Sequence, residues 1–196
     1  MDHLPQSARI HRRIILLLAA ALLYIGFQQT TYAQSTDEFS REELVKTGQG
    51  FFGDVSAGLA GLIERAVSQY GQPNGYILGQ EAGGAVIAGV KYGNGTLFTK
   101  NRGDHAIFWQ GPSLGFDMGI DGAKTMMLVY NLPRIKAMYR RYAGVNGSAF
   151  VLGGFGMTVL KRRDVVVVPV QAGVGARIGI NVGYLKFSRK QRLLPF

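Results

Sequence analysis

The sequence predicts a mainly β fold: a small closed antiparallel barrel of about eight strands, with an N-terminal helix packed on or in it and a short helix inserted between strands. Three features carry that prediction. After Gly75, short runs rich in β-branched and aromatic residues follow one another closely, separated by glycine-rich turns. Gly153, Gly154, Gly156, Gly173, Gly175, Gly179 and Gly183 fall inside or beside those runs, where a strand glycine marks a bend, a bulge or the close approach of another backbone. Upstream of the strands, one apolar stripe at helical spacing needs a large apolar surface to cover it.

In chain order, residues 1–33 read as a cleavable secretory signal. Arg9, His11, Arg12 and Arg13 form a basic head, Ile14 to Ile25 is apolar, and the small residues Thr31 and Ala33 suit cleavage after Ala33. The apolar run is about a dozen residues, against about 20 for a membrane span, which favours a leader over an anchor. Residues 34–50 are a polar linker and a short helix, with Ser40-x-x-Glu43 as a capping box. Residues 51–196 form a single barrel domain that opens with a helix over 51–70. Phe52, Val55, Leu59, Leu62, Ala66 and Tyr70 share one face of that helix, and Gly71 with Pro73-Asn74-Gly75 ends it.

Strands are predicted at Tyr76–Gln80, Ala85–Tyr92 and Thr96–Lys100, with Asn94-Gly95 as the hairpin turn between the last two, because both residues tolerate positive φ. His105–Gln110, Ser113–Ile120 and Thr125–Asn131 follow. Asn131 then caps a short helix through about Tyr142, with Ile135, Met138, Tyr139 and Tyr142 as its apolar stripe. Strands resume at Ser148–Leu152, Gly156–Leu160, Val165–Val170 and Arg177–Phe187.

Composition narrows the chemistry. There is no cysteine, so thiol catalysis and cysteine-ligated metals are excluded, and the fold depends on its core rather than on disulfides. Removing the leader takes away Arg9, Arg12, Arg13 and Asp2, and lowers the formal charge from +10 to +8. The remaining charge is unevenly placed. Residues 134–196 hold twelve Lys and Arg against the single acid Asp164. Arg134, Lys136, Arg140 and Arg141, followed by Lys161, Arg162 and Arg163, form a candidate basic face for phosphates or other anions; simple solvation is the plain alternative. For an exported protein the available anions are lipid, lipopolysaccharide or acidic glycan, and nucleic acid is not among the expected partners.

Several strings from Gly75 onward are distinctive: NGYILGQEAGGA, GPSLGFDMGIDG, MMLVYNLP, GVNGSAFVLGGFGMTVL and GVGARIGINVGYLKF. With them the chain resembles the envelope integrity protein A family, EipA, of secreted alphaproteobacterial proteins, from about Phe51 to Phe187. The resemblance implies a soluble periplasmic protein with a roughly eight-stranded barrel. It also implies a role in keeping the cell envelope intact, linked to lipopolysaccharide and cell division. It brings no catalytic residues. The glycine-rich middle is also loosely similar to the SYLF lipid-binding domain, which points to an amphiphilic ligand.

Other constellations are weaker. His105 is the only histidine after the leader, and Asp104, Ser113 and Asp117 could join it in a hydrolase, but no nucleophile elbow is present and the plain reading is a turn aspartate and a strand histidine. Asp117 and Asp121, with the carbonyls of Gly119 and Gly122, lack the spacing of a calcium loop and suit turns better. Gly119-x-x-Gly122-x-Lys124-Thr125 lacks the P-loop spacing, and Gly173-x-Gly175 precedes a strand rather than a nucleotide-binding helix. Asn94-Gly95-Thr96 and Asn146-Gly147-Ser148 fit the glycosylation sequon but read better as turns. Trp109, Phe108, Tyr76, Tyr92 and Tyr130 could stack on sugar rings; at strand positions the core is the usual place for them. The sequence therefore predicts a non-enzymatic periplasmic protein that uses no cofactor and binds an anionic or amphiphilic envelope component or an envelope protein. A hydrolase of envelope polymers and a purely structural interaction module are the alternatives.

Overall fold

The chain between Gly75 and Ser188 winds into a barrel because its strands alternate apolar residues on both faces, so that each strand buries one set inside and several bury the other set outside. The computed structural model describes residues 37–53, 57–83, 90–112, 123–172 and 183–192. The predicted leader, the predicted strand 113–120 and most of the turn glycines after 172 lie outside the described residues.

Ten strands are described: β1 (Gly75–Gly83), β2 (Val90–Phe98), β3 (His105–Pro112), β4 (Ala123–Tyr130), β5 (Arg141–Gly144), β6 (Phe150–Leu152), β7 (Phe155–Met157), β8 (Leu160–Arg162), β9 (Val165–Ala172) and β10 (Tyr184–Ser188). Their order is β4-β1-β2-β3-β10-β5-β8-β9-β7-β6, and β4 also pairs with β9. That last pairing closes an eight-stranded antiparallel barrel of β1, β2, β3, β10, β5, β8, β9 and β4, leaving β7 and β6 as an outward extension.

Residue parity separates two cores. Ile77, Leu97, Ile107, Trp109, Met127, Val129, Tyr142, Leu160, Val167, Leu185 and Phe187 come from all eight barrel strands and form one cluster, which is the interior. Met126, Leu128, Tyr130, Val166, Val168 and Val170 point the other way from β4 and β9. They meet Phe155 and Met157 of β7 and two helices, α1 (Arg41–Phe52) and α2 (Ala57–Tyr70), through Leu44, Leu59, Leu62, Ile63 and Ala66, each of them fully buried.

The helices therefore lie on the barrel's outer wall. The apolar stripe selects the wall because β4 and β9 carry a second apolar face there, which would otherwise be open to water. Gly58 brings α2 against the β6–β7 turn so closely that a Cβ would sit 2.4 Å from the Leu152 carbonyl oxygen. At the start of α1 the capping box forms as predicted: Ser40 Oγ accepts from the Glu43 amide at 3.2 Å, and Glu43 Oε2 accepts from the Ser40 amide at 2.8 Å.

Four local predictions are corrected. The helix predicted over 51–70 is two elements: Phe52 ends α1, where Gly53 takes a φ of 94°, and α2 begins at Ala57. Asn94-Gly95 is not a hairpin turn. It lies inside β2, paired to Gln80 and Gly79 of β1 and to Phe108 and Ile107 of β3, because the second apolar run, Thr96–Phe98, continues the same strand. The helix predicted from Asn131 through Tyr142 shrinks to α3 (Ile135–Met138), and Arg141 already belongs to β5. Its N-cap is Arg134, with no side-chain hydrogen bond to the first turn, and β5 gains backbone partners in both β10 and β8. The strand predicted at Gly156–Leu160 is interrupted at Thr158-Val159, where the β7 and β8 halves both pair with β9.

Candidate functional site

The antiparallel registers put the two ends of the barrel in different chemical hands. At one end stand the last residues of β2, β4, β8 and β10 and the first residues of β1, β3, β5 and β9. The segment 131–140 crosses this end between β4 and β5. Leu132 and Met138 drop from it into the interior core, both fully buried, with Ile135 and Tyr139 packed partly behind them. It is held down by Asn74, whose Oδ1 accepts from the Leu132 amide and whose Nδ2 donates to the Leu132 carbonyl, both at 3.0 Å. Asn131 takes a φ of 55° and donates from Nδ2 to the Asp164 carbonyl at 3.1 Å, which ties the segment to the β8–β9 turn. The Arg102 guanidinium donates to the Leu132 carbonyl at 2.8 Å from the β2–β3 turn.

With its apolar side chains spent on the plug, the segment leaves its cations outside. Arg134, Lys136 and Arg140 are exposed on it, Arg141 is exposed at the start of β5, and Arg163 is exposed in the β8–β9 turn. Arg162 is half-buried at the end of β8, and Lys161 is exposed just before it. All seven residues of the predicted basic face thus belong to this end or to the wall beside it, although no helix carries four of them. Among the described residues none of the seven is in an ion pair; the four pairs there are Arg41–Glu42, Arg41–Glu64, Lys91–Glu81 and Lys100–Glu43. Two of the end's cations lie on aromatic rings instead: the Arg141 guanidinium is 4.3 Å from the Tyr184 ring centroid, and that of Arg189 is 4.9 Å from Tyr139. Tyr142 donates its hydroxyl to the Ala137 carbonyl at 3.0 Å, and burial raises its pKa to about 12 against the opposing pull of Arg162 and Arg140.

The opposite end holds a group that sequence reasoning missed. The Glu81 carboxylate, on the inward parity of β1, accepts from Lys91 Nζ at 3.0 Å, Gln171 Nε2 at 2.9 Å and Trp109 Nε1 at 2.8 Å. Its side chain is only 10 % exposed and that of Lys91 14 %. Gln171 Nε2 also lies 3.3 Å from Thr125 Oγ1. Four strands of the barrel meet through one carboxylate. The signal was present in an acid within the apolar-and-glycine string NGYILGQEAGGA, with a lysine ten residues on.

The remaining predicted candidates are dispersed. His105 Nε2–H donates to the Arg102 carbonyl at 2.7 Å, and Asp104 beside it is exposed; Ser113 and Asp117 lie outside the described residues. Among the described residues no cluster of His, Asp or Glu could hold a metal ion, and Asp117 and Asp121 are not among them. No helix of the described residues is long and apolar enough to cross a membrane. Of the five aromatics, Trp109 and Tyr130 are core, Tyr76 stacks on Phe98 with centroids 5.0 Å apart, and Tyr92 and Phe108 face outward on neighbouring strands.

These features define a class: a closed eight-stranded antiparallel barrel with helices on its outer wall and a cationic end that makes no ion pair among the described residues. A protein-family model for envelope integrity protein A matches residues 37–196, and the chain belongs to that family, EipA. Among solved structures, a crystal structure of a β-barrel-like, uncharacterised protein from Brucella abortus is 54% identical, with a TM-score of 0.77; the match covers 82% of this chain and 99% of that one. No curated protein matches.

Proposed function

We propose that this protein acts without catalysis in the periplasm, after cleavage following Ala33, and helps to maintain the cell envelope by holding an anionic envelope component against the cationic end of its barrel. The family's name supports the envelope role. The observation that carries the binding mode is the gathering of Arg134, Lys136, Arg140, Arg141, Lys161, Arg162 and Arg163 at one end, with no ion pair to any of them among the described residues. Leu132 and Met138 anchor the plug that bears three of these cations, so the charges stand on a fixed base and do not have to be ordered on binding.

Charges of this kind act through screened, long-range attraction, each worth about 1 kcal/mol near an anionic lipid surface. The test is sedimentation with vesicles rich in phosphatidylglycerol, against purely zwitterionic ones, over a salt series. Binding to the anionic vesicles alone, weakening steeply with salt and lost in Arg140→Glu/Arg141→Glu, is the expected result. A wild-type protein that ignores anionic vesicles at low salt, or a double variant that binds equally well, overturns the reading.

A further inference from the structure

We propose that the outer face of β1–β2–β3–β10–β5 is a binding groove for an acidic glycan chain, a site that shares only Arg141 with the cationic barrel end and rests on the proposed envelope role only for its setting. The helices cover the wall of β4 and β9; this face is on the other strands. Two cross-strand rows build it. Gln80, Asn94, Phe108 and Ser188 stand directly opposite one another in register, and so do Tyr92, Gln110, Lys186 and Arg141. Opposed side chains on one sheet face have Cβ atoms about 4.5–5.5 Å apart, so each row is a continuous strip. Between them lies a groove of about 260 Å³ lined by Tyr92, Phe108, Gln80, Asn94 and Arg192 among others.

The aromatic residues are the unusual feature. Phe108 and Tyr92 are half-buried, yet neither belongs to the interior core or to the core under the helices. Phe108 makes no ring–ring contact among the described residues. A phenyl ring on a sheet face, outside both cores and beside the exposed amides of Gln80 and Asn94, with Gln110 buried next to it, presents a flat apolar surface beside hydrogen-bonding groups. That combination fits a pyranose ring, whose axial C–H face is apolar and whose rim is hydroxylated.

The charge decides which glycan. Arg192 lines the groove, and Lys186 and Arg141 continue the second row past it. Lys186 and Arg141 are directly opposed like charges, an arrangement that costs stability unless an anion bridges them. No acid pairs with Arg141, Lys186 or Arg192 among the described residues. A carboxylate or phosphate on the sugar chain supplies the missing counter-charge.

Binding is read by isothermal titration calorimetry, because the Trp109 indole points into the barrel interior, away from the groove. The full protein is titrated with oligogalacturonate, with a neutral glucan oligomer as control. Saturable binding of the acidic oligomer, with at least a tenfold preference over the neutral one, is expected. Phe108→Ala and Asn94→Ala should each weaken it about tenfold while staying folded at the assay temperature and keeping wild-type binding to anionic vesicles. Failure of the wild type to bind oligogalacturonate overturns the groove but leaves the vesicle reading standing. So does binding that Phe108→Ala and Asn94→Ala both leave unchanged, since the attraction is then charge alone. If Arg134→Glu/Arg163→Glu, at two exposed cations of the barrel end that take no part in the groove, loses vesicles but keeps the glycan within a few fold, two separate surfaces are established.

Discussion

Glu81 and Lys91 meet at 3.0 Å across the inward faces of β1 and β2, one step diagonal in the register, where Glu81 stands opposite Gly93 and Lys91 opposite Gly83. The glycine opposite Glu81 makes the network fit. A Cβ on Gly93 would lie 2.1 Å from Cε2 of the Trp109 indole, whose Nε1 bonds the same carboxylate. The missing side chain is the space the indole occupies.

Removing one partner of this pair should be costly. Lys91→Ala leaves a carboxylate nearly out of water with neutral donors only, and such half-broken buried pairs cost about 3–5 kcal/mol. Lys91→Met/Glu81→Leu, which removes both charges, should recover much of that loss. Urea unfolding of the two variants and wild type decides it; a single variant no less stable than the double one refutes the account.

The packing of α2 gives a second prediction. Leu62→Asp puts a charge where the side chain is fully buried, and it should cost several kcal/mol. Gly58→Ala should destabilise by about 1–3 kcal/mol through overpacking alone, since helix propensity favours alanine and only the Leu152 carbonyl and Gly153 oppose it. A melting temperature raised by Gly58→Ala would show that α2 does not sit against the β6–β7 turn.

Much of this architecture is legible in the sequence, and the exceptions have physical causes. Parity patterns expose the strands, and the capping box at Ser40 announces α1. Burial is legible even where secondary structure is not: Met138 and Tyr142 are buried as the predicted stripe requires, although they lie on different elements. Asn94-Gly95 misleads because turn propensity is local, while β1 and β3 on either side supply a full ladder of partners. The basic face is visible as composition, but its convergence on one end depends on strand order, which no local pattern encodes. Glu81 and Lys91 escape notice because each looks like an ordinary surface charge until the barrel closes around them.

Tyr130 offers a test of polar satisfaction. Its side chain is 1% exposed, and its hydroxyl has no hydrogen-bond partner among the described residues. A buried hydroxyl without a partner is a cost that removal recovers. Tyr130→Phe should therefore be neutral or stabilising in thermal melts, where most core substitutions destabilise. A loss above about 1 kcal/mol would show that the hydroxyl is bonded after all.

Alkaline pH should unfold the barrel through its buried tyrosines. Burial raises the Tyr142 pKa from 10.0 to about 12, and burial likewise pushes Tyr130 up. The unfolded chain then loses the phenolic proton before the folded one does. The stability these groups contribute is complete below pH 10 and is lost as pH climbs toward 12, where Tyr142 alone accounts for about 2 kcal/mol. Tyr142→Phe separates this from general alkaline damage. At pH 8 the variant lacks the hydrogen bond to the Ala137 carbonyl and should be less stable by about 1 kcal/mol. Near pH 12 phenylalanine has no proton to lose, so the variant should equal or exceed wild type. Urea unfolding at both pH values reads the crossing directly. A stability difference that stays constant from pH 8 to pH 12 would mean that Tyr142 titrates alike in the folded and unfolded chains.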